Sequence, residues 1–219
     1  MALLQTALGE TLPDAQIEIY TFAELQGLRL GLINHDYQTG PLDPEVMAAV
    51  IARPAYWAFC WGSGLAMARW LLENPTLVRG RVVADLGSGS GVVAIAAAMA
   101  GAQTVYACDN DAAALAASQA NAALNQVDLN CVADLALLPP RVDLLLMADV
   151  LYDRSNFALI NLAKQRTQTL LIADSRIKDV EDVSFQLLHT SEALTQPNLG
   201  EFDEFRQVRF FRWSRRLDE

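Results

Sequence analysis

The chain is poor in the residues that recognise nucleic acids or bind metals. Its 219 residues contain 16 Lys and Arg against 26 Asp and Glu, which gives a net charge of −10 at pH 7. This balance argues against a nucleic-acid partner, because such a protein needs basic residues to contact phosphates. His35 and His189 are far apart, and Cys60, Cys108 and Cys131 show no metal-ligand spacing. We therefore predict no metal site.

Long apolar runs and targeting signals are also missing. The longest run, residues 91–101, is rich in alanine and spans about three helical turns, so we interpret it as a buried helix. The first six residues lack the basic region of a secretory signal. An odd number of cysteines in apolar surroundings predicts reduced thiols. We expect a cytoplasmic protein with no membrane partner, and a monomer is the default.

Strands and helices alternate from residue 81 onward. The predicted strands are residues 81–86, 104–109, 129–134, 142–150 and 169–174. The predicted helices are residues 91–100, 112–125 and 155–165, the last one capped by Ser155. Such alternation predicts right-handed crossovers and a parallel sheet covered on both faces. Residues 185–191 and 205–213 have only a loop between them and should pair as an antiparallel hairpin at the edge. The prediction is an α/β fold: a three-layer, doubly wound, seven-stranded and mostly parallel sheet.

The first part of the chain follows a different pattern. Residues 17–20 and 28–32 alternate with period two, as strands do, and residues 44–53 look helical with a proline at the start. A length of 219 residues with 53% apolar composition favours one domain. We interpret residues 1–60 as an N-terminal extension that covers the active site, and residues 61–219 as the ligand-binding part of the same compact domain.

A glycine loop, Asp85-Leu-Gly-Ser-Gly-Ser-Gly91, lies where the first of these strands turns into a helix. Gly87, Gly89 and Gly91 permit a tight turn and a close approach of a ligand to the backbone. Ligands of open α/β sheets bind at the carboxyl ends of the strands. The dinucleotide fingerprint needs its third glycine at position 92, which is Val92. The carboxylate of Asp85 would repel a pyrophosphate but would suit the ammonium and sulfonium groups of S-adenosylmethionine. The glycine spacing alone still leaves a dinucleotide open.

Two further aspartates end the next two strands. Asp109 lies 18 residues after Gly91, where a carboxylate can accept hydrogen bonds from the hydroxyls of a ribose. The alternative, a helix cap, is better served by Asp111, which leaves Asp109 free. Asp134 either meets the adenine amino group or is an ordinary loop aspartate. Together with Asp85, these residues favour S-adenosylmethionine as the cofactor.

Residues 54–213 resemble the class I, seven-strand S-adenosylmethionine-dependent methyltransferases. Two segments give a narrower match: Pro-Ala-Tyr-Trp-Ala-Phe-Cys-Trp-Gly-Ser-Gly at residues 54–64, followed by Leu-Leu-Glu-Asn-Pro, and Asp149-Val-Leu-Tyr152. They are similar to the electron-transfer-flavoprotein β-subunit lysine methyltransferases and their bacterial, nicotinamide N-methylase-like relatives. Amide and base N-methyltransferases of this fold usually carry two prolines in the second segment, and this chain has neither. That difference counts against glutamine, adenine and ribosomal-amide substrates.

The resemblance implies roles for particular residues. Those expected to bind the cofactor are Trp61, Ser63, Gly64, Asp85, Gly87, Ser88, Gly89, Gly91, Asp109, Asn110, Asp134 and Asp149. Asp149 and Tyr152 are expected to face the acceptor nitrogen as catalytic residues, and Trp57, Tyr152 and Asp153 to bind the substrate. Two roles are equally compatible with Trp57: packing in the core, or forming a wall of the acceptor slot. For Phe59, core packing is preferred.

The expected reaction is methyl transfer to a lysine of a protein, with the electron transfer flavoprotein β subunit as the candidate. A lysine with a pKa of about 10.4 is neutral in only about one molecule in 2,500 at pH 7, so an apolar slot should favour the neutral amine. Asp149 would capture and align the amine. We expect its loss to abolish transfer while cofactor binding stays largely intact. A small-molecule amine as acceptor and a non-catalytic cofactor-binding partner protein are the alternatives.

Two charged segments near the C-terminus allow two interpretations each. Glu201, Asp203 and Glu204 form either a solvated hairpin or a surface that attracts a basic substrate. A cluster of arginines follows. We prefer to interpret it as the solvated basic edge of the final strand; the alternative is a docking surface for an acidic partner. Its members are Arg206, Arg209, Arg212, Arg215 and Arg216.

Overall fold

The computed structural model describes residues 1–37, 40–41, 43–198 and 205–215. The helices are α1 (Ala2–Thr11), α2 (Pro44–Ala52), α3 (Gly62–Glu73), α4 (Val92–Met99), α5 (Ala112–Leu124) and α6 (Ala158–Arg166). The strands are β1 (Ile17–Phe22), β2 (Leu28–Ile33), β3 (Val82–Leu86), β4 (Thr104–Cys108), β5 (Asn130–Val132), β6 (Val142–Ala148), β7 (Thr167–Asp174), β8 (Gln186–Glu192) and β9 (Gln207–Ser214). Within these described ranges, no helix combines the length and apolar character needed to cross a bilayer.

The central sheet has seven strands in the order β5-β4-β3-β6-β7-β9-β8. Strands β3 to β7 run parallel, and β9 is antiparallel to both of its neighbours, β7 and β8. The chain moves outward from β3 to β5 and then returns to place β6 on the other side of β3. This reversal creates a switch point at the carboxyl ends of β3 and β6, which is where open α/β sheets bind ligands. The predicted fold is confirmed.

Helices cover both faces of the sheet, as the continuous apolar runs in the strands predicted. Val83 of β3 packs in a cluster with residues of α3 and α4, whereas its neighbour Ala84 packs in a second cluster with Ile160 and Ala163 of α6. Successive residues of a strand point to opposite faces, so this division places apolar side chains on each side. Cys60 and Cys108 are buried thiols, in line with their predicted apolar surroundings.

The structure differs from the predicted elements in three places. The segment after β6 begins with a 3₁₀ helix at Arg154–Phe157, and Asp153 caps it by accepting a hydrogen bond from the backbone N–H of Ser155. The predicted Ser155 cap is therefore wrong. Strand β6 ends at Ala148 because Asp149 adopts a left-handed φ of 53°, which a strand does not tolerate. Helices α1 and α3 were not anticipated.

The N-terminal strands form a separate two-stranded sheet that shares the main core. β1 and β2 pair antiparallel, with Ile17 opposite Ile33. Leu28, Leu30 and Leu32 are buried in the same cluster as residues of α3 and α4. This shared core joins the hairpin to the domain, while a boundary at residue 60 remains a prediction.

Asn121, a buried residue of α5, connects the hairpin to the glycine loop. Its Oδ1 accepts a hydrogen bond from the backbone N–H of Gly31 at 2.7 Å, and its Nδ2 donates to the carbonyl of Ser90 at 2.9 Å. The side chain has no exposed surface. One amide thus satisfies a strand N–H and a loop carbonyl that would otherwise both be buried without partners.

The C-terminal hairpin corrects one detail of the sequence interpretation. β9, which carries Arg209 and Arg212, lies between β7 and β8, so the exposed edge strand is β8. The described arginines have local partners: Arg206 with Glu192, Arg209 with Gln207, Arg212 with Ser214 and Arg215 with the carbonyl of Lys164. Arg216 and the acidic residues Glu201, Asp203 and Glu204 lie outside the described residues.

We expect Asn121→Ala to destabilise the protein strongly. The substitution leaves the Gly31 N–H and the Ser90 carbonyl buried without partners, each at a cost of about 1–3 kcal/mol. Chemical denaturation of the wild type and the variant measures the loss. The control is Asn125→Ala at the C-terminal cap of the same helix, because the hydrogen bonds of Asn125 to the backbone of Arg29 are exposed and water replaces the lost partner. Its other bond, to the carbonyl of Asn121, is only partly buried. Equal losses for the two variants would contradict this role of Asn121.

Candidate functional site

The glycine loop adopts a conformation that side chains would not permit. Gly87, Gly89 and Gly91 have φ angles of 77°, 50° and 83°. A Cβ on Gly87 would lie 2.7 Å from Cγ2 of Val150, and a Cβ on Gly91 would lie 2.8 Å from the backbone of Ser118. Both distances are too short for real contacts. The loop therefore needs glycine for its backbone angles and also for its close packing against α5 and the segment after β6.

Helix α5 supports the loop through small polar side chains. Ser118, which is completely buried, has its Oγ 3.1 Å from Oγ of Ser88 and donates to the carbonyl of Gly89 at 3.2 Å. Asn121, one turn later, holds the carbonyl of Ser90. The sequence interpretation missed both residues. The available signal was their position on the face of α5 that also buries Ala114 and Ala117.

Asp85 and Asp109 flank the loop and are fixed by backbone N–H groups. Asp85 is 1% exposed at the end of β3, and its Oδ2 accepts a hydrogen bond from Ala94 in the first turn of α4. Asp109 accepts from the N–H of Gly89 at 2.9 Å with Oδ2 and from the N–H of Asp111 at 3.0 Å with Oδ1. Asp111 caps α5 as predicted. Asp109 is not free, although each of its oxygens keeps a second lone pair for a ligand.

Burial raises the pKa of both carboxyl groups. The pKa of Asp85 rises to about 7, mainly because burial disfavours the charged form, while the Ala94 N–H lowers it and the charge of Asp109 raises it further. Burial also raises the pKa of Asp109, and the N–H groups of Asp111 and Gly89 oppose the rise. A cation bound beside this loop would relieve the unfavourable burial of negative charge.

Asp149 joins the end of β6 to the start of α3. Its Oδ2 accepts a hydrogen bond from the N–H of Ser63 at 2.8 Å, and its Oδ1 accepts from Oγ of Ser63 at 2.6 Å. A carboxylate at a helix N-terminus is favoured by the helix dipole. Burial nevertheless raises the pKa of Asp149 to about 6, and the charge of Asp174 adds to the rise. The structure thus brings together the two sequence segments that carry the narrower resemblance, residues 54–64 and 149–152.

Asp174 and Arg176 lie beside Asp149 and were missed by the sequence interpretation. Ala148 pairs with Ala173 across β6 and β7, so the residues that follow, Asp149 and Asp174, are neighbours. Nη1 of Arg176 lies 3.8 Å from Oδ1 of Asp149. Its guanidinium also packs over the ring of Phe205, 4.9 Å from the centroid. The signal for Asp174 was present in the sequence, since it ends a parallel strand as Asp85 does.

An aromatic cluster joins the same two segments that meet at Ser63 and Asp149, and it contains Tyr56 but not Trp57. Trp57 is 3% exposed and packs in a core cluster with residues of α1 and α5, so core packing is the outcome of the two options left open for it. Tyr56 is half-exposed, 5.6 Å from the ring of Tyr152 and 5.7 Å from that of Trp61. Nε1 of Trp61 donates to the carbonyl of Tyr56. Phe59 is only half-buried and packs on Trp61.

The remaining predicted residues differ in burial: Gly64 is buried, and three others are exposed. Gly64 is buried where a Cβ would lie 3.1 Å from Val92, so it lets α3 approach α4 closely. Asn110, Asp134 and Asp153 are exposed. Asp134 and Asp153 each accept a backbone hydrogen bond two residues onward and so cap a 3₁₀ helix. A capping role accounts for both positions without a ligand.

One group of potential metal ligands occurs among the described residues, outside this site. The ligand atoms of Glu18, His35 and Asp36 lie within 4.8 Å of one another on the N-terminal hairpin. Nδ1 of His35 lies 3.1 Å from Glu18, and this contact raises the pKa of the exposed imidazole. These residues form a surface ion pair, with Asp36 bonded to Asn34.

We expect the free energy of unfolding of the ligand-free protein to fall as the pH rises from about 4 to 7, because its buried carboxyl groups must then ionise. Asp85 and Asp149 have an ordinary pKa of 3.8, raised in the fold to about 7 and about 6, so the folded state binds protons more tightly than the unfolded state between these values. Asp85→Asn removes one such group and should flatten the dependence by up to ~1.4 kcal/mol per pH unit.

Denaturation at several pH values measures this difference between the wild type and Asp85→Asn. The control is Asp128→Asn, which removes the same charge from an exposed turn. If wild type and Asp85→Asn gave parallel curves, the burial of a titrating Asp85 would be refuted.

Comparison with known proteins is consistent with this geometry. Residues 67–170, a little under half of the chain, match the family model of the ribosomal protein L11 methyltransferase, PrmA. The electron transfer flavoprotein beta subunit lysine methyltransferase of Rattus norvegicus is 43% identical over 101 residues, which are 45% of this chain and 40% of that protein. The chain thus matches about two fifths of the length of these curated relatives.

Solved structures show the same fold. The 16S rRNA N2 G1207 methyltransferase of Thermus thermophilus, solved with AdoMet and guanosine, superposes with a TM-score of 0.58 at 18% identity over 92% of this chain and 51% of that one. The ribosomal protein L11 methylase of Lactobacillus delbrueckii subsp. bulgaricus superposes with a TM-score of 0.53 at 23% identity, covering 70% and 79% of the two chains. This chain has the fold of the class I S-adenosylmethionine-dependent methyltransferases, and its sequence resembles the electron transfer flavoprotein beta subunit lysine methyltransferases.

Proposed function

We propose that this protein is an S-adenosylmethionine-dependent N-methyltransferase that methylates lysine side chains of a protein substrate. The observation that carries the proposal is the convergence of the glycine loop with Asp85, Asp109 and Asp149 at the switch point of the sheet. The 43% identity to lysine methyltransferases over 101 residues supports the acceptor class. The electron transfer flavoprotein β subunit is the substrate that this similarity favours.

The residues around the loop fit the chemistry of the cofactor. S-adenosylmethionine supplies a methyl group on a positively charged sulfur and also carries an ammonium group. Buried Asp85 would hold the ammonium, and Asp109 would accept hydrogen bonds from the ribose hydroxyls with its remaining lone pairs. Trp61, Ser63 and Gly64 would contact the methionine part, and the exposed residues Asn110 and Asp134 would meet the adenosine part.

The acceptor side would be formed by Asp149 and the aromatic pair of Tyr56 and Tyr152. The half-exposed rings provide an apolar wall that favours a neutral amine by desolvation and still allows its aliphatic stem to enter. Asp149, held by Ser63, would align the amine, because in-line displacement depends on the placement of the nucleophile. Exposed Asp153 would contact the substrate beyond the slot, and residues 1–60 would complete the cover of the site.

The test is transfer of a labelled methyl group from S-adenosylmethionine to proteins of a cell extract. We expect a labelled band identified as the electron transfer flavoprotein β subunit. The matched variant Asp109→Ala should bind the cofactor at least about tenfold more weakly, because it loses hydrogen bonds to a charged group worth about 1.5–3 kcal/mol. Asp128→Asn should behave as the wild type.

The outcomes of the labelling experiment separate the candidates. Label on ribosomal protein L11 would keep the reaction but change the substrate. Label only in the small-molecule fraction would replace the protein substrate by a small amine. A chain that binds no S-adenosylmethionine in a direct titration would disprove the enzyme altogether.

We expect Asp149→Ala to abolish methyl transfer. The sequence alone predicted that cofactor binding would stay largely intact in this variant. The structure changes that prediction: Asp149 holds Ser63, which is proposed to bind the methionine part, so cofactor affinity should fall as well. Ser63→Ala keeps the backbone bond to Asp149 and should retain most of the activity, at a loss of stability of about 1 kcal/mol. Turnover, cofactor titration and thermal unfolding of both variants measure these effects. Near-normal turnover of Asp149→Ala would rule out its assignment.

A further inference from the structure

Asp174 has a buried carboxylate oxygen that lacks a hydrogen-bond partner among the described residues. The residue is 1% exposed. Its Oδ1 accepts hydrogen bonds from the N–H groups of Arg176 and Ile177 at 2.8 and 3.1 Å, while Oδ2 has no partner at normal hydrogen-bond geometry. The N–H of Leu151 is close enough only to lower the pKa of the carboxyl by the smallest of the contributions. A buried acceptor left unpaired costs about 1–3 kcal/mol, and more when it is charged. Such atoms are rare in folded proteins and often mark a place that a ligand or an ordered water completes.

Asp174 lies beside Asp149, on the proposed acceptor side of the site. Asp174 neighbours Asp149 across β6 and β7, through the paired residues Ala148 and Ala173. Both oxygens of Asp149 already accept hydrogen bonds from Ser63. Of the two adjacent carboxylates, Asp174 is therefore the one with an oxygen whose acceptor capacity is unused.

The local charges favour a cationic group beside the two carboxylates. Asp149 and Asp174 carry two negative charges when ionised, and the guanidinium of Arg176 lies 3.8 Å from Asp149. Burial raises the pKa of Asp174, opposed by the N–H groups of Arg176 and Ile177, the charge of Arg176 and, least, the N–H of Leu151. Two carboxylates in a low-dielectric environment attract an ammonium group more strongly than they would in water.

We propose that Asp174 is a catalytic residue whose Oδ2 accepts a hydrogen bond from the acceptor amine and takes up its proton before methyl transfer. This inference rests on the proposed function, because it assumes that the acceptor is an amine. It assigns the proton-accepting contact with the amine to Asp174, while Asp149 aligns the amine and positions Ser63.

The proton and electron balance of the step is simple. The ammonium N–H bond breaks, its electron pair stays on nitrogen, and an O–H bond forms at Oδ2 of Asp174. The nitrogen lone pair then forms the bond to the methyl carbon while the carbon–sulfur bond breaks and its electrons remain on sulfur. Asp174 returns its proton to water after the reaction. A carboxyl whose protonated form is favoured by burial is better suited to this task than one in water.

Asp174→Asn tests the proposal with little disturbance of the fold. The amide oxygen can still accept from Arg176 and Ile177, whereas the amide nitrogen places a donor where the proposal needs an acceptor. The first readout is binding of n-butylamine, a mimic of the lysine side chain, to the protein saturated with S-adenosylhomocysteine. We expect a loss of affinity of at least about tenfold. The second readout is kcat for lysine methylation, expected to fall by about 100-fold or more.

Controls separate this proposal from a general defect. S-adenosylhomocysteine affinity reports whether Asp174→Asn is folded at the site and should change less than about threefold, and Asp128→Asn should match the wild type in every readout. If Asp174→Asn does not fold, the pH dependence of n-butylamine binding to the wild type decides. That affinity should fall as the pH is lowered, because n-butylamine stays charged while the neighbouring buried carboxylates, Asp149 and Asp174, take up protons.

Wild-type affinity of Asp174→Asn for n-butylamine would overturn the proposal, and so would pH-independent binding to the wild type. One combination of results would disprove the proposed function and leave the role of Asp174 in amine binding intact. In that case n-butylamine binding depends on Asp174, but the wild type transfers no methyl group to any protein or amine.

Discussion

The structure depends on the burial of four aspartates at one edge of a parallel sheet. Asp85, Asp109, Asp149 and Asp174 follow or end the neighbouring strands β3, β4, β6 and β7. Burial is the largest cause of the raised pKa of each one. Carboxylates so placed reduce the stability of the free protein and favour a cationic ligand. Stability is thus lowered at the edge where the fold binds its ligand, which is a common feature of functional sites.

Backbone N–H groups hold each of these carboxylates in place, and this explains the choice of residues around them. Asp85 uses the first turn of α4, and Asp149 uses the start of α3. Asp109 accepts a hydrogen bond from the N–H of Gly89, so the glycine loop is bonded directly to the residue that is expected to bind the ribose. Helix α5 in turn fixes the loop through Ser118 and Asn121. The glycine loop of the proposed cofactor site therefore relies on side chains of α5 for its conformation.

The sequence predicted the features that follow from local periodicity and strand order. The five parallel strands, the glycine loop and the cap at Asp111 follow from patterns within a few residues. The helix cap at Asp153 was missed because Ser155, two residues later, is a residue type that caps helices equally well. The sequence could not tell that Trp57 packs in the core while Tyr56 lies beside Tyr152. Both residues belong to a short 3₁₀ turn, which has no period that indicates which ring faces the core. The unpaired oxygen of Asp174 emerges only from the tertiary structure.

Proton release on cofactor binding tests the central claim most directly. Calorimetric titration of S-adenosylmethionine at pH 6.5, repeated in buffers of different ionisation enthalpy, counts the protons exchanged. A cationic ligand beside Asp85 and Asp149 should lower their pKa values from about 7 and about 6 and so release protons, and S-adenosylhomocysteine, which lacks the sulfonium charge, should release fewer. Binding without proton release, or with equal release for the two ligands, would contradict the account.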